Sequence, residues 1–272
     1  LAFMFFSIGM ARPQMGAKLK EHQMKGAEVM IALDVSNSML ARDYSPDRLD
    51  RAKLAISRLV DKLNGDRIGL VLFAGTSFVQ LPITTDYVSA KMFLNNISTE
   101  SVPVQGTAMG DAINTCIRSF SAQSEKSRAI IVITDGENHE DDPVSAAKQA
   151  AEMGISVYTI GVGSEQGQPI PMKGGLLKDS EGNIVVTTLD ESTLRDVAPA
   201  GNGAYVHAGN DEFGLNPIID NVRKLDEEQF SSVVFEEYDE QYMYFFAIAL
   251  ALFVIQMMVG ERKVLRHLFD KK

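Results

Sequence analysis

The stretch that decides the fold is Glu28-Val-Met-Ile-Ala-Leu-Asp34-Val-Ser36-Asn-Ser38-Met-Leu40. Val29–Leu33 is a short apolar run of strand length, of the kind buried on both faces of a parallel sheet. Asp34 arrives where that strand should end, and Ser36 and Ser38 follow at spacings of two. In open α/β sheets, ligands bind in the crevice outside the carboxyl ends of the strands. A carboxylate and two hydroxyls there are short, hard oxygen donors, which suit Mg²⁺. The competing reading is local: Asp34 or Ser36 caps the next helix.

Working outward, the pattern repeats. Ile130-Ile-Val-Ile-Thr-Asp135-Gly136 is a second buried strand ending in an aspartate, and Gly106-Thr107-Ala108 precedes a helical pattern over 109–120. Further apolar runs at 68–73, 129–134 and 155–160 read as parallel strands, 204–207 as a last strand, and 78–81 as a short antiparallel edge strand. Amphipathic helices are expected over 47–64, 86–96, 143–153, 190–197 and 213–224. Strand–helix alternation of this kind gives right-handed crossovers and a doubly wound, mostly parallel α/β sheet covered on both faces. The segments 176–178 and 184–188 flank Asp179-Ser-Glu-Gly-Asn183 and predict a β-hairpin inserted at about 168–188.

The chain has 272 residues, enough for one large domain or two small ones. Its formal net charge of −10 argues against a nucleic-acid partner, which needs a basic face. Cys116 is the one cysteine, so no intramolecular disulfide or cysteine-rich zinc site can form, and its neighbours at helical spacing make it a small buried hydrophobe.

The ends differ from the middle. Tyr242 to Val259 is 18 residues without a charge, about long enough to cross a bilayer, so 242–260 is expected to be a transmembrane helix. The following 261–272 carries five Lys/Arg against two acids, and 226–240 carries seven acids and no Lys or Arg. The positive-inside rule then expects 261–272 as a cytoplasmic tail, 226–241 as an acidic linker and the large domain outside. Residues 1–11 are apolar but too few to span a membrane, and are expected to be the end of a longer spanning helix; 12–25 reads as a basic linker and 26–225 as the domain.

Asp34-Val-Ser36-Asn-Ser38, Gly106-Thr107 and Thr134-Asp135-Gly136 resemble, in order and spacing, the metal-ion-dependent adhesion site of von Willebrand factor type A (VWA) domains. The resemblance implies a Rossmann-like VWA fold and a divalent ion, Mg²⁺ with Mn²⁺ or Ca²⁺ as alternatives. It implies Asp34, Ser36, Ser38, Thr107 and Asp135 as metal ligands, with Asn37, Gly106, Gly136 and Glu137 beside them in contact with a partner protein whose Asp or Glu completes the coordination. The whole chain is similar to the membrane-anchored Bat (Bacteroides aerotolerance) group through Ala11-Arg-Pro-Gln14, Asp66-Arg-Ile-Gly-Leu70, Phe73-Ala-Gly75, Gln80-Leu-Pro-Ile-Thr-Thr-Asp86 and Thr134-Asp-Gly-Glu-Asn138. That similarity implies the bacterial inner membrane, a periplasmic VWA domain, and an envelope complex with other Bat-type membrane proteins and a MoxR-type AAA+ ATPase.

Two other functions compete with the binding module. Asp-terminated parallel strands also build Mg²⁺-dependent hydrolases. The second aspartate of the haloacid-dehalogenase pattern is here Ser36, however, and neither a Gly-x-x-x-x-Gly-Lys phosphate cradle nor a Gly-x-Ser-x-Gly elbow is present. His139, the histidine nearest the site, reads as part of a solvated acidic loop. The remaining reading is a structural scaffold with a non-functional metal site.

Overall fold

The computed structural model describes residues 2–11, 14–19, 26–63, 65–121, 126–138, 141–209, 214–222, 236–240 and 242–269, side chains at 9, 14–19, 236–240 and 259–269 aside. The chain forms two compact units, one from Leu1–Gln23 with Phe230–Lys272 and the other from Met24–Gln229.

The larger unit is organised by a six-stranded sheet. In chain order its strands are β2 (Glu28–Asp34), β3 (Arg67–Phe73), β4 (Ser77–Thr84), β5 (Arg128–Thr134), β6 (Ile155–Gly161) and β11 (Tyr205–His207). They lie in the order β11-β6-β5-β2-β3-β4, all parallel except β4, which pairs antiparallel with β3 at the edge. The expected edge strand is longer than the sequence run indicated, because Ser77 and the residues after Pro82 join the ladder.

Why both faces are covered can be read along β2. Val29, Ile31 and Leu33 point into one apolar core with α2 (Arg48–Lys62), α3 (Tyr87–Asn95) and the helix over 215–222, here α7. Met30 and Ala32 point into the other, with α4 (Met109–Ser119), α5 (Pro143–Glu152) and α6 (Glu191–Ala200). The period-2 alternation of a strand therefore feeds two cores from one continuous apolar run. The helix starts are set chemically: Asp47, Asp86, Asp142 and Asp190 each accept a backbone N–H from their own first turn. Cys116 is fully buried among these apolar side chains, and burial raises its thiol pKa.

The inserted segment is more than a hairpin. Four two-residue strands, β7 (Gln168–Pro169), β8 (Pro171–Met172), β9 (Gly175–Leu176) and β10 (Val186–Thr187), pair as β7 with β10 and β8 with β9, and a Lys178–Ile184 bridge joins the middle to the return.

In the smaller unit, α1 (Ala2–Met10) and α8 (Tyr242–Phe269) touch through Phe6 and Phe246, whose ring centroids are 5.5 Å apart. Within the stretches expected as linkers, β1 (Gln14–Leu19) pairs antiparallel with β12 (Glu236–Glu240) and puts Lys18 in register with Glu237. Among the described residues no helix is long and apolar enough to cross a membrane, and the expected span over 242–260 extends past the described side chains, which stop at Met258.

Candidate metal centre

The chain order places β3 on one side of β2 and β5 on the other, so the connections leave the carboxyl edge in opposite directions between β2 and β5. This switch point is where a doubly wound sheet opens a crevice. Asp34 ends β2, and Asp135 directly follows β5. The short 3₁₀ helix Asn37–Leu40 carries Ser38, with Ser36 preceding it. Thr107 enters from the loop before α4, held by the Ala108 N–H donating to Ala74 O at 2.7 Å.

All five expected ligand residues are buried at this edge, Asp34 and Asp135 completely and Ser36, Ser38 and Thr107 nearly so. Asp34 is fixed by two neutral donors: Ser36 N–H to Oδ1 at 2.8 Å and Thr134 Oγ1 to Oδ2 at 2.6 Å. The Ser36 and Ser38 hydroxyls are 2.8 Å apart. Thr107 brings a third hydroxyl to the same edge, buried at 6% exposure.

The electrostatics are those of two carboxylates forced together out of water. Burial, and then repulsion from Asp135, push Asp34 up to about 7 against the bonds from Thr134 and Ser36. Burial also raises Asp135, and the Ser38 hydroxyl and the Arg48 guanidinium oppose that rise. Among the described residues no three His, Cys, Asp or Glu side chains gather as a metal site. The donor set here is of another composition, two carboxylates and three hydroxyls, all hard oxygens. That set fits a divalent cation, which would relieve the Asp34–Asp135 repulsion.

Sequence reasoning missed the second half of the site. Arg48 is fully buried. Its guanidinium donates to Asp135 Oδ2 at 3.0 Å, to Thr187 Oγ1 at 3.2 Å, and to both oxygens of Asp43, from Nε at 2.9 and 3.0 Å and from Nη2 at 2.6 Å. Gly163 permits this packing, since a Cβ there would come within 2.8 Å of Arg48 Nη2. One local sign existed: Arg48 is the first residue of α2, where the helix dipole disfavours a cation. Nothing in the sequence indicated that Thr134 would lock Asp34 or that Thr187, from the insertion, would meet Asp135.

The four positions expected to touch a partner sit as follows. The half-buried Asn37 donates its N–H to Gln105 Oε1 at 2.9 Å. Gly106 is half-buried. Gly136 has φ +83°, and a Cβ there would meet Asp190 O at 2.3 Å, so backbone geometry alone accounts for this glycine. Glu137 turns toward the insertion, where its Oε1 accepts from Thr188 N–H at 3.1 Å and lies 3.0 Å from Thr187 Oγ1. In the acidic loop, His139 lies outside the described residues. Asp141 caps α4 by accepting from Gly110 and Asp111 N–H, and Asn138 accepts from Met109 N–H.

Comparison with known proteins bears on the fold that carries this site. An aerotolerance-related membrane protein from Bacteroides fragilis, of known structure, is 50% identical, covers 73% of this chain and is itself covered in full, with a TM-score of 0.71. BatB from Bacteroides thetaiotaomicron is likewise 50% identical, covers 76% of the chain and is covered in full, with a TM-score of 0.69. At 19% identity and a TM-score of 0.55, mussel proximal thread matrix protein 1, solved with zinc in its MIDAS motif, shares the fold; it covers 74% of this chain, which spans 46% of its length. A UPF0353 protein of Nocardia farcinica is 30% identical over 229 residues, which are 77% of this chain and 65% of that protein. The pattern that defines von Willebrand factor type A domains matches residues 28–197. The chain belongs to the VWA family.

Proposed function

We propose that this domain captures a protein partner through a divalent cation held by Asp34, Ser36, Ser38, Thr107 and Asp135, with an Asp or Glu of the partner completing the coordination. The observation that carries the reading is the fully buried Asp34 carboxylate, whose hydrogen-bond partners are neutral and which is repelled by the Asp135 carboxylate. A cation at that point turns a repulsive pocket in an acidic domain into an anion receptor. Mg²⁺ is the proposed ion, with Mn²⁺ or Ca²⁺ as alternatives, and the zinc-occupied motif of the mussel protein supports a divalent site of this kind. Asn37, Gly106, Gly136 and Glu137 are the proposed rim around the partner's carboxylate.

The setting we propose is the inner membrane of a bacterium, with 242–260 as the anchor, the domain in the periplasm and 261–272 in the cytoplasm. The uncharged stretch Tyr242–Val259 and the resemblance to the membrane protein of Bacteroides fragilis support it. Other Bat-type membrane proteins and a MoxR-type AAA+ ATPase complete the proposed assembly, with the ATPase reached through the spans or the basic tail.

Calorimetry on residues 26–225 tests the metal reading. One divalent-ion site is expected, lost in Asp34→Ala. Unchanged Mg²⁺ binding by Asp34→Ala would overturn the assignment.

A further inference from the structure

The insertion over 164–188 is built onto the metal centre itself. Thr187 Oγ1 lies 3.2 Å from Asp135 Oδ2 and accepts from Arg48 Nη1 at 3.2 Å. Thr188 N–H is tied to Glu137, and Leu189 N–H donates to Ser164 O where the insertion leaves and rejoins the domain. Above that base the segment is hydrogen-bonded throughout: Leu177 N–H to Ile170 O at 2.8 Å, Val185 N–H to Leu177 O at 2.9 Å, and a turn closed by Asp179 Oδ1 accepting from Glu181 and Asn183 N–H. At its tip, Lys173 Nζ meets Glu100 Oε1 at 2.8 Å. That exposed pair adds little stability, but it places the tip beside Thr99–Ser101, the short helix in the loop that carries Thr107.

The side chains divide in two. Ile170 and Thr187 are buried and hold the insertion together, whereas Met172, Leu176, Ile184 and Val186 are 40–54% exposed and Val104, in the Thr107 loop, is 50% exposed. Successive residues of a strand face opposite ways, so burying Thr187 against Asp135 turns Val186 outward. Four exposed apolar side chains within 172–186 are denser than the single, scattered exposure usual on a surface, which marks the insertion as a contact face.

We propose that this arm reads the residues flanking the metal-bound carboxylate, and that its ligand is an extended segment of a partner protein in which an acidic residue lies between apolar ones. The inference rests on the metal-dependent reading above. Its logic is continuity and charge. The arm starts on a proposed metal ligand and ends at the Thr107 loop, and in a chain of net charge −10 the ion is the strongest local attraction for an acidic segment. Apolar neighbours are therefore the flanks that add affinity without adding repulsion.

The test uses the full chain and two labelled synthetic peptides, each with one central Asp, flanked by Leu and Val in one and by Ser in the other. Anisotropy is read in Mn²⁺ and in EDTA. Expected is metal-dependent binding with the apolar-flanked peptide favoured about tenfold, a preference lost in Ile184→Ser/Val186→Ser while Mn²⁺ affinity stays parental. Equal affinity for both peptides, or a preference that survives the double substitution, overturns the arm but leaves metal-dependent capture standing. Binding that persists in EDTA, or no binding of either peptide, overturns capture and arm together. Variant-sensitive binding to phosphatidylglycerol vesicles in place of the peptides would show the arm to be a lipid contact and overturn the proposal.

Discussion

Asp34 has a measurable signature in the metal-free domain. Its carboxyl is raised from 3.8 to about 7 in the folded state, so between those values the folded chain holds a proton that the unfolded chain has released. The stability from that proton is fully present below about pH 4 and is lost as the pH rises through 7. In EDTA the unfolding free energy should fall over this window with a slope approaching about 1.4 kcal/mol per pH unit, and Asp34→Asn should flatten it. Denaturant titrations from pH 4 to 8 check this, and equal slopes in parent and variant would refute it. Arg48 makes the opposite case, since it pairs with Asp43 and Asp135 where neither partner is more than slightly exposed. Arg48→Met strands two buried carboxylates and should cost about 3–5 kcal/mol in the same assay. The two residues also differ in legibility. Asp34 could be read from the sequence because its serine neighbours lie within four positions. Arg48 could not, because its partners Asp135 and Thr187 are brought to it only by the finished sheet.

At the scale of elements, α4 joins the two halves of the centre. Thr107 precedes it, and its first N–H groups are capped from the loop after Asp135, through Asn138 and Asp141. Ala108 at the N-cap offers no side-chain acceptor of its own, so this borrowed cap is what fixes the helix start. Asp141→Ala should cost about 1 kcal/mol, read as a lower Tm. Thr107→Ala should leave the Tm in EDTA near parental, since Thr107 precedes the N-cap of α4 and lies outside its hydrogen-bonded turns. It should weaken Mg²⁺ binding roughly tenfold, because one ligand oxygen is removed at a cost of about 1–3 kcal/mol. Parental Mg²⁺ affinity in that variant would remove Thr107 from the ligand set. The long apolar strands and amphipathic helices were legible because burial imposes a period on them. The insertion was legible only as a hairpin, since pairings two residues long leave no period, and β7 and β8 owe their place to partners beyond the turn.

On the scale of the whole molecule, the direction of β2 fixes which edge of the sheet carries the candidate site. The chain enters β2 at Glu28 and reaches Asp34 about 20 Å later, given the rise of a strand. The proposed metal ligands Asp34 and Asp135 thus lie at the edge of the sheet opposite to the start of β2. The orientation proposed across the bilayer rests on charge alone. Residues 261–272 hold five Lys/Arg and two acids, whereas 226–240 hold seven acids and no base, and basic flanks are retained in the cytoplasm. A reporter active only in the cytoplasm, fused after Lys272, should therefore be active, and one active only in the periplasm should be silent. Reversing the charge of Arg262, Lys263 and Arg266 to Glu should weaken or invert that pattern, because the rule counts basic residues close to the span. Periplasmic activity in the parent would place the VWA domain and its metal edge in the cytoplasm. Its partner would then have to be sought among cytoplasmic proteins.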